Sequence, residues 1–224
     1  SESAFGDILE AARSENNWKN IRAYMNIFAE YFTYMTQKQK VMTLNFLYEL
    51  LMHREGDIRR QSAQLIGNII VHYDEEYRKE LPRGVIREPD EITSLSLWKK
   101  YLEAIIVPDH KVTEQHKRWI GYTLKFVLAS ALEQCKKEDS RKYLEAFLHY
   151  YSHTGVIDST AFVLLDSILA LPLSLCTGED MRMLMDFAAR LAVRDSLEIQ
   201  IAVLRFIKYL SEDEGYKEES AALI

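Results

Sequence analysis

Residues 55–71 constrain the fold more than any other stretch of the chain. Ile58, Ser62, Leu65, Ile66, Ile69 and Ile70 recur at i, i+4, i+7, i+8 spacing, which gathers them on one face of a helix. Val41, Leu44, Leu47, Tyr48 and Leu51 make a second helical stripe just before them. Only a short turn around Gly56-Asp57 separates the two runs, and Asp57 is expected to accept from the free amides of the second helix's first turn. Helices joined so tightly fold back on each other as an antiparallel pair. Ser62 and Gly67 are small, which lets a neighbouring helix come close.

The rest of the chain repeats this device. Gly (8) and Pro (4) are scarce in 224 residues, and no run alternates in the manner of a strand, so the chain reads as all-α. The periodicity places helices over 3–14, 18–35, 37–53, 57–79, 94–107, 112–135, 141–153, 158–171, 179–193 and 196–210, about ten helices in five pairs. On helix 18–35, Trp18, Ile21, Met25, Phe28, Phe32 and Met35 form one apolar stripe, and Tyr24, Ile27, Tyr31 and Tyr34 form a second beside it. A helix apolar on two faces is either sandwiched or keeps one face for a partner, and sandwiching is the simpler expectation. Residues 81–92, with two prolines and a glycine, read as a non-helical connecting loop, with Arg83 and Arg87 as candidate anion contacts. Residues 211–224 read as an acidic tail. The whole, 1–224, is expected to be a single domain. A start at Ser-Glu-Ser with no Met suggests a piece of a longer protein.

Charge and cysteine content bear on function. Residues 36–142 hold 19 Lys and Arg against 16 Asp and Glu, or +3, while the remainder holds 9 against 18, or −9. That middle is too weakly basic for the stripe a nucleic-acid binder presents, so nucleic acid is not the expected partner. Cys135 and Cys176 lie far apart and make no disulfide framework, which points to a cytoplasmic protein. No apolar run reaches the length of a membrane span.

Setting Ile66-Gly67 over Ile120-Gly121 also sets Ile58 over Val112, Gln61 over Gln115, Leu65 over Trp119 and Ile70 over Leu124. An internal repeat of this kind signals stacked helical pairs. Asp57-Ile58-Arg59, then Ser62, then Ile66-Gly67 and Ile69 resembles the second-helix signature of HEAT repeats. Val112 and Ile120-Gly121 match it partly, with Thr113 at the family's Arg position and His116 at its Ala position. Ile157, Ala161, Leu165 and Ile168 keep the apolar frame, with Asp158 at the Arg position. His53 stands where the family places the aspartate of its Asp/Arg ladder. The resemblance covers 36–210 and implies an α-α superhelix of about five stacked antiparallel helix pairs.

Catalytic patterns are missing from the sequence. His149 and His153 lie four apart, a spacing that can bind a metal, but no Glu follows His149 as H-E-x-x-H requires and no third ligand is evident. The pair is therefore read as a surface pair, and no metal or cofactor is expected. Asp74-Glu75-Glu76 reads as a solvated helix end. Lys117, Arg118, Tyr122 and Lys125 come nearest to a binding groove. The expected function is a non-catalytic scaffold or protein-binding module, engaging a protein or another domain of the same chain. The alternatives are the regulatory domain of a larger bacterial signalling enzyme and a HEAT-like nucleic-acid-binding or base-repair protein. The surface expected to bind comprises Arg59, Arg60, Gln64, Asn68, Thr113, Lys117 and Tyr122, with Tyr24 and Tyr31. Charge reversal at Arg59 and Arg60 is expected to abolish binding and leave the melting temperature nearly unchanged.

Overall fold

The computed structural model describes residues 2–75 and 92–212. Among them are ten α-helices and no strand. They are α1 (Glu2–Arg13), α2 (Trp18–Glu30), α3 (Gln37–Glu49), α4 (Gly56–Ile70), α5 (Ser94–Ile106), α6 (Glu114–Gln134), α7 (Ser140–Leu148), α8 (Asp158–Ser167), α9 (Gly178–Ala192) and α10 (Leu197–Ser211). Arg83 and Arg87, most of the expected loop 81–92 and most of the tail 211–224 lie outside the described residues.

Side-chain caps start the helices where sequence chemistry supplies them. Thr36 accepts from the Gln39 amide while Gln39 reaches back to the Thr36 amide, and Thr93/Ser96 and Thr177/Asp180 repeat that reciprocal box. The start of α4 differs from expectation. Its first helical residue is Gly56, which leaves Asp57 inside the first turn with no capping bond, and Glu55 occupies the cap position. Several expected helices also end in a tighter turn: Leu50–Met52 follows α3, His149–Ser152 follows α7 and Ile168–Ala170 follows α8.

Helix 57–79 was expected to run straight on, but α4 stops at Ile70 and turns at Val71-His72. Tertiary bonds account for the bend. Lys40 is fully buried, and its Nζ donates to the Tyr73 carbonyl at 3.1 Å, with the Phe32 and Tyr73 ring centroids 5.4 and 5.7 Å away. Asp74 accepts from the Ser94 amide at 3.0 Å, and the Asp74 amide donates to Ser94 Oγ at 3.1 Å. The turn redirects the chain, helical again over 73–75, towards a buried cation and the first residue of α5.

Two successions of helix contacts run through the molecule. The odd-numbered helices meet in order. Arg13 of α1 pairs with Glu49 of α3 at 3.1 Å. Tyr48 of α3 donates to the Ala104 carbonyl of α5 at 3.0 Å, and Tyr101 of α5 to Asn45 at 2.6 Å. Trp98 Nε1 of α5 donates to the Tyr143 carbonyl of α7 at 3.0 Å, and Arg141 of α7 pairs with Asp180 of α9 at 2.6 Å. The even-numbered helices do the same. Arg22 of α2 donates to Gln61 of α4 at 2.8 Å, and α4 lies along the length of α6 in the broadest helix contact. Next, α6 packs on α8, and Tyr209 of α10 donates to the Leu171 carbonyl beyond α8.

Gly67 and Gly121 each sit where the next even-numbered helix comes close. A methyl group on Gly67 would lie 2.4 Å from the Val127 carbonyl oxygen of α6, and one on Gly121 would lie 2.5 Å from Val163 Cγ2 of α8. The two positions that the internal repeat aligned therefore do the same job, letting one even-numbered helix rest on the next. Buried leucines, isoleucines and aromatics fill the space between the two successions as one continuous core.

Candidate functional site

Two of the expected surface residues do structural work. Arg59 Nη1 donates to the carbonyls of His53 at 2.6 Å and Arg54 at 3.0 Å, and its guanidinium lies 4.4 Å from the Trp119 ring centroid of α6. Burial lowers its pKa and Glu55 opposes that shift. Arg59 is thus half-buried and ties the α3–α4 turn to the next pair, so the expectation of an unchanged melting temperature does not survive for it. Replacing Arg59 by Glu is expected to cost about 2–3 kcal/mol, from two charge-assisted bonds and a stacked cation. Arg60→Glu, at an exposed site whose guanidinium lies 5.1 Å from the Phe126 ring centroid, is expected to cost less than about 1 kcal/mol. Urea unfolding of the two variants checks the contrast, and equal losses would contradict it. Thr113 is likewise structural, since its hydroxyl caps α6 by accepting from the His116 amide at 3.2 Å.

Gln64 is exposed and Asn68 half-buried on α4. Tyr24 and Tyr31 lie on the α2 segment. Tyr24 stacks on Phe28 at 6.5 Å, and Tyr31 is exposed beside Tyr34, itself 82% exposed. With Ile27 also exposed, the second stripe of helix 18–35 faces outward rather than into a sandwich.

Lys117 and Tyr122 are the two expected residues that the fold brings to a common cavity. A volume of about 250 Å³ opens between the end of α5, the middle of α6 and the start of α8. Its apolar wall includes Ile105, Ile106, Phe162 and Val163, and Tyr122 meets Phe162 edge to face at 5.8 Å. Asp166 on this wall is held by Lys125 at 3.3 Å, and Asp158 by Arg194 at 2.7 Å, while Lys117 lies 3.5 Å from Glu114. Arg118 and Glu198 also line the cavity, with no hydrogen bond or ion pair among the described residues. Thr160 is buried against it, and its hydroxyl has no partner among them either.

No protein-family model, curated protein sequence or solved structure matches the chain. The chemistry of the cavity is therefore argued from its own residues. Among the described residues no three His, Cys, Asp or Glu side chains gather where they could hold a metal ion, and no helix is long and apolar enough to cross a membrane. Burial and the nearby Asp139 carboxylate raise the Cys135 thiol pKa, which depletes the thiolate a nucleophile needs. What the cavity offers is an apolar recess edged by a cation, a carboxylate and a hydroxyl that have no partner among the described residues.

The opposing wall of Phe162, Thr160, Asp166 and Glu198 escaped the sequence reading. One signal was present. Extending the repeat through Ile157, Ala161, Leu165 and Ile168 puts Asp166 at the position of Gly67 and Gly121, so the third unit departs from the pattern at the cavity.

Proposed function

We propose that the chain is a non-catalytic helical-repeat binding module of HEAT-like design, which holds a segment of a partner protein or of another domain of its own chain. Two ordered successions of helix contacts, with glycines at equivalent close approaches, support a row of stacked helix pairs. The observation that carries the binding role is the α6/α8 cavity, an apolar recess whose rim keeps Arg118, Glu198 and the Thr160 hydroxyl without partners among the described residues. A site this size takes one or two side chains rather than a nucleotide cofactor. Its occupant is a peptide segment that places a large apolar residue in the recess, an acidic group on Arg118 and main-chain polar groups on Thr160.

Selecting a displayed random-peptide library on the protein tests this. Peptides with an apolar anchor next to an acidic residue are expected, and Tyr122→Ala or Arg118→Glu should weaken their binding by about tenfold, or 1.4 kcal/mol, with the melting temperature unchanged in Arg118→Glu. Selected peptides that bind both variants as well as the parent protein would overturn the assignment. The nucleic-acid alternative has less support, because Arg59, Arg60 and Lys125 already lie over aromatic rings or pair with Asp166. Duplex binding that weakens steeply with salt would revive it.

A further inference from the structure

The geometry points to His149 and His153 as a two-imidazole clamp for a borderline divalent cation of the Cu²⁺, Ni²⁺ or Zn²⁺ class. Their Nε2 atoms face each other at 3.2 Å, and their ring centroids lie 4.8 Å apart with the planes at 85°. Metal–imidazole bonds of about 2.0–2.1 Å put two bound nitrogens about 2.9 Å apart at a right-angled metal and about 3.3 Å apart at a tetrahedral one. The observed separation falls between these values, so a cation can enter with little movement of either ring.

The fold presets the pair. His149 ends α7 and opens the tight turn His149–Ser152, which brings His153 back under it. Ser152 Oγ donates to the His149 carbonyl at 2.6 Å, and Arg190 Nη2 from α9 lies 3.5 Å from the His153 carbonyl and donates to that of Tyr151 at 3.2 Å. The backbone on both sides of the clamp is therefore tied down while both imidazoles remain exposed. The Tyr150 ring sits 6.1 Å from His149 and 5.8 Å from His153, and its hydroxyl donates to the Glu103 carboxylate. That bond commits Glu103 to Tyr150 and leaves the other coordination positions of the cation to water. Imidazole donors and open positions favour copper most, by the general order of divalent affinities, and exclude the oxygen-seeking Ca²⁺ and Mg²⁺.

Titration of the full chain with Cu²⁺, followed by calorimetry and electron paramagnetic resonance, decides the matter. One site per chain with two nitrogen ligands is expected. His149→Asn, His153→Asn and the double variant should each lose that site, with affinity at least about tenfold lower, while His53, His72, His110 and His116 remain. Circular dichroism should be unchanged, because both rings are on the surface. Equal binding by the parent protein and the double variant would overturn the assignment. So would a spectrum with a single nitrogen ligand, or one cation shared by two chains.

Discussion

Gly67→Ala is expected to lower stability by about 2–3 kcal/mol, despite adding a methyl group to a helix interior where alanine is the better helix former. Helix propensity alone would favour the change by about 1 kcal/mol. The added Cβ, however, would lie 2.4 Å from the Val127 carbonyl oxygen, 2.7 Å from Ser130 Cβ and 2.9 Å from the Ala131 amide nitrogen. Two of these three atoms belong to the backbone of α6, so no rotamer change relieves the overlap and the helices must separate. Overpacking of this kind costs about 1–3 kcal/mol, and a backbone clash along the broadest helix contact belongs at or above the top of that range. The melting temperature should fall by about 5–10 °C. Gly121 provides the internal contrast. Its added Cβ would meet Val163 Cγ2 at 2.5 Å, a side-chain methyl group. Gly121→Ala should therefore cost less, and Val163→Ala should largely rescue it, whereas Ser130→Gly should not rescue Gly67→Ala. A Gly67→Ala protein as stable as the parent would show that α4 and α6 do not pack as described.

The pairing of Gly67 with Gly121 was legible in the sequence because close helix approach leaves a local trace, a small residue at a fixed place in the apolar period. The helix pairs were legible for the same reason, since a 3.6-residue period and a capping Thr are written within a few turns of chain. Trp18 shows where period alone misleads. It continues the stripe of Ile21 and Met25, yet at the first turn of α2 it is 45% exposed, with Lys19 and Arg22 over its ring. The stripe extended one turn beyond the neighbour that covers it. Half of the candidate cavity was legible in the same sense. Lys117 and Tyr122 stand out as polar and aromatic residues on the outward face of one helix. Phe162 and Asp166 do not, because their meeting with Tyr122 and Lys125 depends on the register between α6 and α8, which the whole core sets. The structural ties of Arg59 were hidden for a related reason. The partners that bury it are the carbonyls of His53 and Arg54 and the ring of Trp119, and neither backbone groups nor a stacked ring on another helix leave a pattern around Arg59 itself.

Arg141→Met should have an effect of similar size through charge rather than volume. The guanidinium of Arg141 on α7 grips both carboxylate oxygens of Asp180, at 2.6 and 3.1 Å, and its Nε donates to Glu145 at 2.9 Å. Asp180 is only 7% exposed, and it also accepts from the Thr177 amide at 2.9 Å to cap α9. Burial by itself pushes the Asp180 carboxyl up. The Arg141 fork and the Thr177 bonds outweigh it, so the pKa lies below the ordinary carboxylate value. Removing the cation leaves a nearly buried charge with little beyond its cap. Breaking a buried pair in this way costs about 3–5 kcal/mol, and the partial exposure of Arg141 places the loss near about 3 kcal/mol. The sign of the pH dependence follows from the lowered pKa. The pair stabilises the fold above the unfolded-state carboxylate pKa, and that stabilisation is lost as pH falls through the lower folded-state value. The gap between parent and Arg141→Met should therefore be full at pH 7 and shrink in strong acid, where Asp180 is protonated in both. Asp180→Asn added to Arg141→Met should recover part of the loss at pH 7, because a neutral amide can still cap α9 and no longer needs the cation. Urea unfolding at neutral and acid pH measures all three quantities, and a gap that stayed constant with pH would mean Arg141 acts through packing and not through Asp180.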